Sequence, residues 1–155
     1  MLLPGAADGG GKARAGVTAS ASGRAAIERG IRDCANRNRA ARGLDPLLPS
    51  RPLARAARLH ARNMARLGFF DHTDPQGRGV GERVAIFDRG HRYTYLGENI
   101  AAGYRSAASA CEGWMSSAGH RRNILDSSFT NIGGGFASGG PYGRYYVQVF
   151  GAPSP

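Results

Sequence analysis

The stretch NIGGGFASGGPYGRYYVQVF, residues 131–150, decides the fold class of this chain. Residues 131–137 and 145–150 are predicted to be strands, and the turn-rich segment between them predicts an antiparallel hairpin. In the second strand, alternate side chains fall on opposite faces, with Tyr145, Val147 and Val149 on one of them. The patterns before this hairpin are helical. Helices first and strands last indicate an α+β fold rather than a parallel α/β sheet.

Two helices are predicted near the start of the chain. Helical spacing of apolar residues predicts the first over residues 23–42. The second is predicted over residues 51–67, because Ser50 is a typical N-cap and Pro52 lies in the first turn.

A third helix is predicted after a long connection. Residues 69–105 are predicted to be mostly loop, with a short helical piece over residues 80–88. The third helix starts at Ser106 or at Ser109. The second choice would form a capping box with Glu112 at its third position.

The charge is strongly positive. The 155 residues carry 21 basic and 11 acidic side chains, a formal net charge of +10, and no apolar run long enough for a membrane span. Such a charge favours anionic partners, but no basic-aromatic module points to nucleic acid. The second helix concentrates this charge in a stripe that is either a solvated face or an anion-binding surface. Its members are Arg51, Arg55, Arg58, Arg62 and Arg66.

The length suits one domain. Residues 1–22 are rich in Gly, Ala and Ser and are expected to be a flexible leader, with residues 23–155 as a single domain. Cys34 and Cys111 are interpreted as two buried thiols. A disulfide between them is the alternative in an oxidising compartment.

Polar residues that could carry chemistry lie in four short stretches. They are residues 69–72, 97–100, 114–120 and 146–151. His72 and His120 are 48 positions apart, so no local ligand motif joins them. His60 lies on the inner stripe of the second helix and is interpreted as a hydrogen-bonded core histidine rather than a ligand.

Taken together, these stretches resemble the CAP superfamily, which groups cysteine-rich secretory, antigen 5 and pathogenesis-related 1 proteins. The likeness is to its cysteine-poor bacterial branch and runs over residues 27–151. The blocks that carry it, in order, are NRNRAARGL (36–44), the second-helix pattern of residues 53–65, FDH with PQG (70–77), GENIAAG (97–103), WMSSAGHRRNIL (114–125) and YVQVFG (146–151).

This resemblance implies an α-β-α sandwich in which a small antiparallel sheet lies between helical layers. It also implies a central cleft with two histidines and two acids. By motif position the histidines are His72 and His120, and one acid is Glu98. The position of the second acid is Ser117, so the set is incomplete.

The implied cleft allows three roles for these residues. His72 and His120, with Glu98, could hold zinc or another divalent cation. Glu98 could instead accept an N–H from a histidine and fix its tautomer. It could also, with Asn99, tie down the long loop.

The sequence therefore favours a monomeric ligand-binding module that is extracellular or periplasmic, although no export signal is visible. Its expected partners are an anionic glycan, a lipid or sterol, or a cell-wall ligand. Metal-assisted hydrolysis of peptides or cell-wall material is the alternative, and a purely structural domain is the third reading. No catalytic residue is assigned.

Overall fold

The computed structural model describes residues 20–90 and 92–153. The helices and strands in these residues are α1 (Ala21–Ala40), β1 (Leu48–Pro49), α2 (Arg51–Leu67), α3 (Val80–Ala85), β2 (Tyr93–Ala102), α4 (Ala107–Ser116), α5 (Ala118–Leu125), β3 (Asn131–Ser138) and β4 (Arg144–Pro153). The bounds of α2 match the predicted helix. The predicted leader lies mostly outside the described residues, and α1 begins inside it, capped by the Ser20 side chain.

The strands form one sheet in the order β1-β3-β4-β2. The β3–β4 hairpin is antiparallel, as predicted, and β2 pairs antiparallel with the other edge of β4. The two-residue β1 runs parallel to β3. The α+β class is confirmed, but the sheet is mixed rather than purely antiparallel.

The sheet separates two apolar cores because β4 is buried on both faces. Tyr145, Val147 and Val149 pack with α2 in one core, which also contains Leu53, Ala57, Ala61 and Met64. Tyr146 and Phe150 point to the other side, where helices α1, α4 and α5 supply Ile31, Ala35, Trp114 and Ile124. Helices therefore cover both faces of the sheet, and the result is an α-β-α sandwich.

Glycines in β3 set the distance between the sheet and α2. A Cβ at Gly133 would lie 2.1 Å from the Ala54 amide nitrogen, and one at Gly135 would lie 2.3 Å from the Ala57 carbonyl carbon. No side chain can occupy that space. These two glycines therefore let the backbone of α2 lie directly on the strand.

The connection before α4 differs most from the sequence prediction. Its second half is β2, a ten-residue strand, where the sequence predicted loop. Ser106 caps α4 and forms the capping box with Ser109, so the prediction that Glu112 occupies the third position is wrong. The short helix α3 ends at Ala85, three residues before the predicted end.

Cys34 and Cys111 form a disulfide between α1 and α4. Both residues are buried, and the amide of Asn38 lies against both sulfurs. The interpretation as two unpaired thiols is wrong. The bridge joins two helices of the same layer, 77 positions apart in the chain.

Reduction of this disulfide should lower the free energy of unfolding by about 4 kcal/mol, because a long loop regains conformational freedom in the unfolded chain. Chemical denaturation with and without a thiol reductant measures the loss. The Cys34→Ala/Cys111→Ala variant should show no response to reductant. A wild-type protein that is equally stable in both conditions would contradict the assignment.

Candidate functional site

The carboxylate of Glu98 is the centre of a buried polar network. Glu98 lies on β2 opposite Val149 of β4, and its side chain is only 3% exposed. Its Oε1 lies 2.8 Å from Nδ1 of His72, and its Oε2 accepts a hydrogen bond of 2.7 Å from Nη2 of Arg83. Both oxygens are therefore engaged by side chains from outside the sheet.

Arg83 brings the loop after α2 to this carboxylate. It lies on α3 and is fully buried. Its Nη1 donates to the backbone carbonyls of His72 and Arg78, at 2.9 Å and 2.6 Å. One guanidinium thus joins the His72 loop, α3 and β2, and it fixes where the imidazole of His72 stands.

The environment keeps Glu98 ionised. Burial alone would raise the pKa of Glu98, but the hydrogen bond from His72, followed by the interactions with His60 and Arg83, outweighs burial and leaves this pKa below its ordinary value. An ionised carboxylate only accepts hydrogen bonds. Nδ1 of His72 is therefore the protonated nitrogen, and its Nε2 is left for another partner on a ring that is 45% exposed.

His60 lies behind this pair on the inner face of α2. It is fully buried, and its Nε2 donates to the Asp71 carbonyl at 2.9 Å and lies 3.8 Å from Oε1 of Glu98. Burial lowers the pKa of His60 to about 4, so the ring is neutral at pH 7. The core position agrees with the sequence interpretation, but Nδ1 has no hydrogen-bond partner among the described residues.

His120 and Ser117 form a second pair beside the first. Ser117 ends α4 and caps α5, and its hydroxyl lies 2.7 Å from Nδ1 of His120. The Asn99 amide donates to the backbone carbonyl of His120 at 3.1 Å. Because Asn99 directly follows Glu98, neighbouring residues of β2 contact the two pairs. Burial lowers the pKa of His120 to about 4.

The structure therefore brings the predicted residues together as two contacting pairs, His72 with Glu98 and His120 with Ser117. A joint role for the four in one ligand-binding cleft stays a prediction. Across residues 20–90 and 92–153, no three His, Cys, Asp or Glu side chains are arranged to share a metal ion.

Sequence reasoning missed Arg83. A signal was present, because Val80, Arg83 and Phe87 follow helical spacing and place the arginine on the apolar face of its helix. The amide of Asn123 was also unassigned, although it donates to the Glu98 carbonyl and to the Asn99 side chain.

Comparisons with known proteins agree with this fold. A family model described as the cysteine-rich secretory protein family, CAP, matches residues 32–150. The YkwD protein of Bacillus subtilis is 34% identical over 124 residues, which are 80% of this chain and 48% of that protein. The YlbC membrane protein of the same organism is 33% identical over 79% of this chain and 34% of its own length. The chain thus spans less than half the length of these curated relatives.

Solved structures give the same result. An extracellular protein with an SCP domain from Bacillus anthracis superposes with a TM-score of 0.74 at 29% identity, over 83% of this chain and 41% of that one. An outer surface protein of Borrelia burgdorferi superposes with a TM-score of 0.77 over 90% of this chain and all of its own. Its identity is 18%, so this second likeness shows the fold alone.

Replacing Arg83 with methionine should lower the free energy of unfolding by about 3–5 kcal/mol, because Glu98 loses its buried charged partner. Chemical denaturation measures the change. Arg32→Met is the control and should cost about 1 kcal/mol or less. Arg32 lies 3.5 Å from Asp33, and the two side chains are 30% and 52% exposed. Equal losses in the two variants would contradict the role given to Arg83.

Stability should fall as the pH drops from about 6.5 to about 4. In this window the unfolded chain protonates histidines that stay neutral in the folded protein, because the pKa of both His60 and His120 is lowered to about 4. The contribution of the two neutral histidines to the free energy of unfolding is therefore complete above about pH 6.5 and is lost by about pH 4.

The variant His60→Gln isolates one of these two histidines. Between pH 6.5 and pH 4, the free energy of unfolding of this variant should fall by about 3 kcal/mol less than that of the wild-type protein, because glutamine does not titrate. Denaturation curves recorded across the pH window give the difference between the two proteins. Parallel declines in the wild-type protein and in the variant would show that His60 is not the source.

Proposed function

This chain belongs to the cysteine-rich secretory protein (CAP) family, and we propose that it is an extracellular or cell-envelope domain that binds a ligand through the imidazole of His72. The observation that supports this function is that both oxygens of the Glu98 carboxylate are hydrogen-bonded. One carboxylate oxygen accepts from Arg83 and the other from His72, and the second contact orients a half-exposed imidazole ring. Ring orientation by a buried carboxylate is a common device at binding sites.

Binding is favoured over hydrolysis by the same contacts. A hydrolase of this kind needs a carboxylate that can take a proton or hold a metal. Glu98 has no unengaged oxygen, and the position of the second acid is Ser117, whose hydroxyl pairs with His120. The described residues hold the imidazoles in place and contribute no further carboxylate to them.

A metal centre fits these residues only in part. Catalytic zinc takes three protein ligands, and the described residues bring no such trio together. A cation held by His72 and His120 is the second candidate. The hydrogen bond from Nδ1 of His72 to a carboxylate favours it, because metal-bound histidines commonly make such a bond. A bound cation would supply Lewis acidity for hydrolysis.

The proposed location rests on the relatives. The Bacillus anthracis structure is of an extracellular protein, and the Borrelia structure is of an outer surface protein. The disulfide fits an oxidising compartment. Among the residues that the structure describes, no helix combines the length and apolar character needed to cross a bilayer.

Histidine-detected NMR tests the proposed site. Long-range proton–nitrogen spectra should show His72 protonated at Nδ1, and Glu98→Gln should weaken this preference.

Ligand binding is tested with soluble peptidoglycan fragments, heparin, sterol and phosphatidylglycerol vesicles as probes. We expect saturable binding of at least one probe, with shifts of the His72 ring signals and at least a tenfold loss of affinity in His72→Ala.

The matched control is Thr73→Ala, next to His72 in the same loop, which should bind as the wild-type protein does. Absence of saturable binding, or equal affinity of the wild-type protein and His72→Ala, would refute the proposed site. Zinc titration distinguishes ligand binding by His72 from the second candidate, a cation held by His72 and His120. Zinc bound by the wild-type protein and lost in both His72→Ala and His120→Ala would favour the metal centre instead.

A further inference from the structure

We propose that the outer face of α2, with the turn between β3 and β4, binds the phosphate groups of a linear polyanion. This site lies on the opposite face of α2 from His60 and the Glu98 network, so it is independent of the function proposed above. The helix carries five arginines and no acidic residue. Its outer face is therefore a strip of positive charge with no acidic residue from the helix itself.

The five arginines are not equivalent. Arg58 makes an ion pair of 2.7 Å with Glu28 of α1, and Arg55 lies 4.5 Å over the ring of Phe87. Arg62 and Arg66 are exposed, and neither makes an ion pair or a side-chain hydrogen bond within residues 20–90 and 92–153. These two guanidinium groups keep all their donors for a ligand.

Arg62 and Arg66 line a depression of about 350 Å³. Its other lining residues are Ala65 of α2, Ala137 and Ser138 of β3, and Gly139–Gly140 of the turn. A Cβ at Gly140 would lie 2.4 Å from the Ala65 carbonyl oxygen, so a glycine is needed to bring this turn against α2. The result is a concave site with two guanidinium groups and a hydroxyl.

A second depression continues the first along the helix. It has a volume of about 220 Å³ and is lined by Arg55, Arg58, Leu59, Arg62 and Phe87. Arg62 belongs to both depressions. From Arg55 to Arg66 the helix rises about 16 Å, so successive anionic groups of one extended chain can meet successive guanidinium groups.

The chemistry favours phosphate in a single chain. The planar guanidinium fork of arginine matches two phosphate oxygens at once. Several contacts along one polymer also add affinity, because each neutralised phosphate releases a counterion. A lipid bilayer presents a flat surface, whereas these arginines line two shallow depressions that share Arg62 along one helix face. The ligand class is therefore a phosphodiester or polyphosphate chain.

Long-chain inorganic polyphosphate is the probe. Affinity is measured at several salt concentrations between about 50 and 200 mM, with orthophosphate and vesicles of phosphatidylglycerol and phosphatidylcholine as comparison ligands. The Arg62→Gln/Arg66→Gln variant should bind polyphosphate at least tenfold more weakly. The slope of the logarithm of affinity against the logarithm of salt concentration should become less steep by about one for each lost contact.

The matched control is Arg37→Gln/Arg122→Gln, which removes the same charge from exposed positions on α1 and α5. It should weaken binding less than twofold, and thermal melting should show both variants folded. His72→Ala should bind polyphosphate as the wild-type protein does, which separates this site from the His72 site.

Two results would overturn the proposal. Equal losses in both double variants would mean that net charge alone attracts the polymer. Arginine-dependent binding to the vesicles without binding to polyphosphate would mean that the partner is a membrane surface.

Discussion

One buried carboxylate joins β2, α3 and the loop after α2. Glu98 extends from the sheet edge and is met by Arg83 from α3 and by His72 from the loop after α2. Arg83 in turn holds two carbonyls of that loop. Removal of one partner of a buried ion pair leaves the other charge without compensation, so the positions of these groups depend on one another. The position of His72 is thus fixed by the same contacts that stabilise the fold.

The helix α2 separates two chemical environments. Its inner face contacts the sheet at Gly133 and Gly135 and carries His60, which is neutral and buried. Its outer face carries Arg62 and Arg66. Close contact with the glycines removes any room for solvent between helix and strand. The helix therefore carries a buried histidine on its inner side and two exposed arginines on its outer side.

Much of the fold was predictable from local patterns. The bounds of α2 follow from Ser50, Pro52 and Gly68, which are start and stop signals that depend only on neighbouring backbone. The strand β2 was not predictable in this way, because its alternation is interrupted by Gly97 and by the polar Glu98 and Asn99. Its partner is β4, almost fifty positions away.

The candidate site was predictable in part. The resemblance pointed to His72, Glu98 and His120, but no single motif indicated that Arg83 would saturate the carboxylate. That contact depends on how α3 lies against β2. The pairing of Cys34 with Cys111 is a similar case, because two cysteines far apart in a chain bond only when folding brings their helices together.

The pKa of the Glu98 carboxyl group tests the buried network most directly. Carbon-13 NMR of the Glu98 carboxyl group, recorded as the pH is lowered, gives its titration midpoint. If Arg83 and His72 compensate for burial, the midpoint lies below the ordinary glutamate value of about 4.3. A midpoint above that value would mean that burial dominates, and it would contradict the network described for this site.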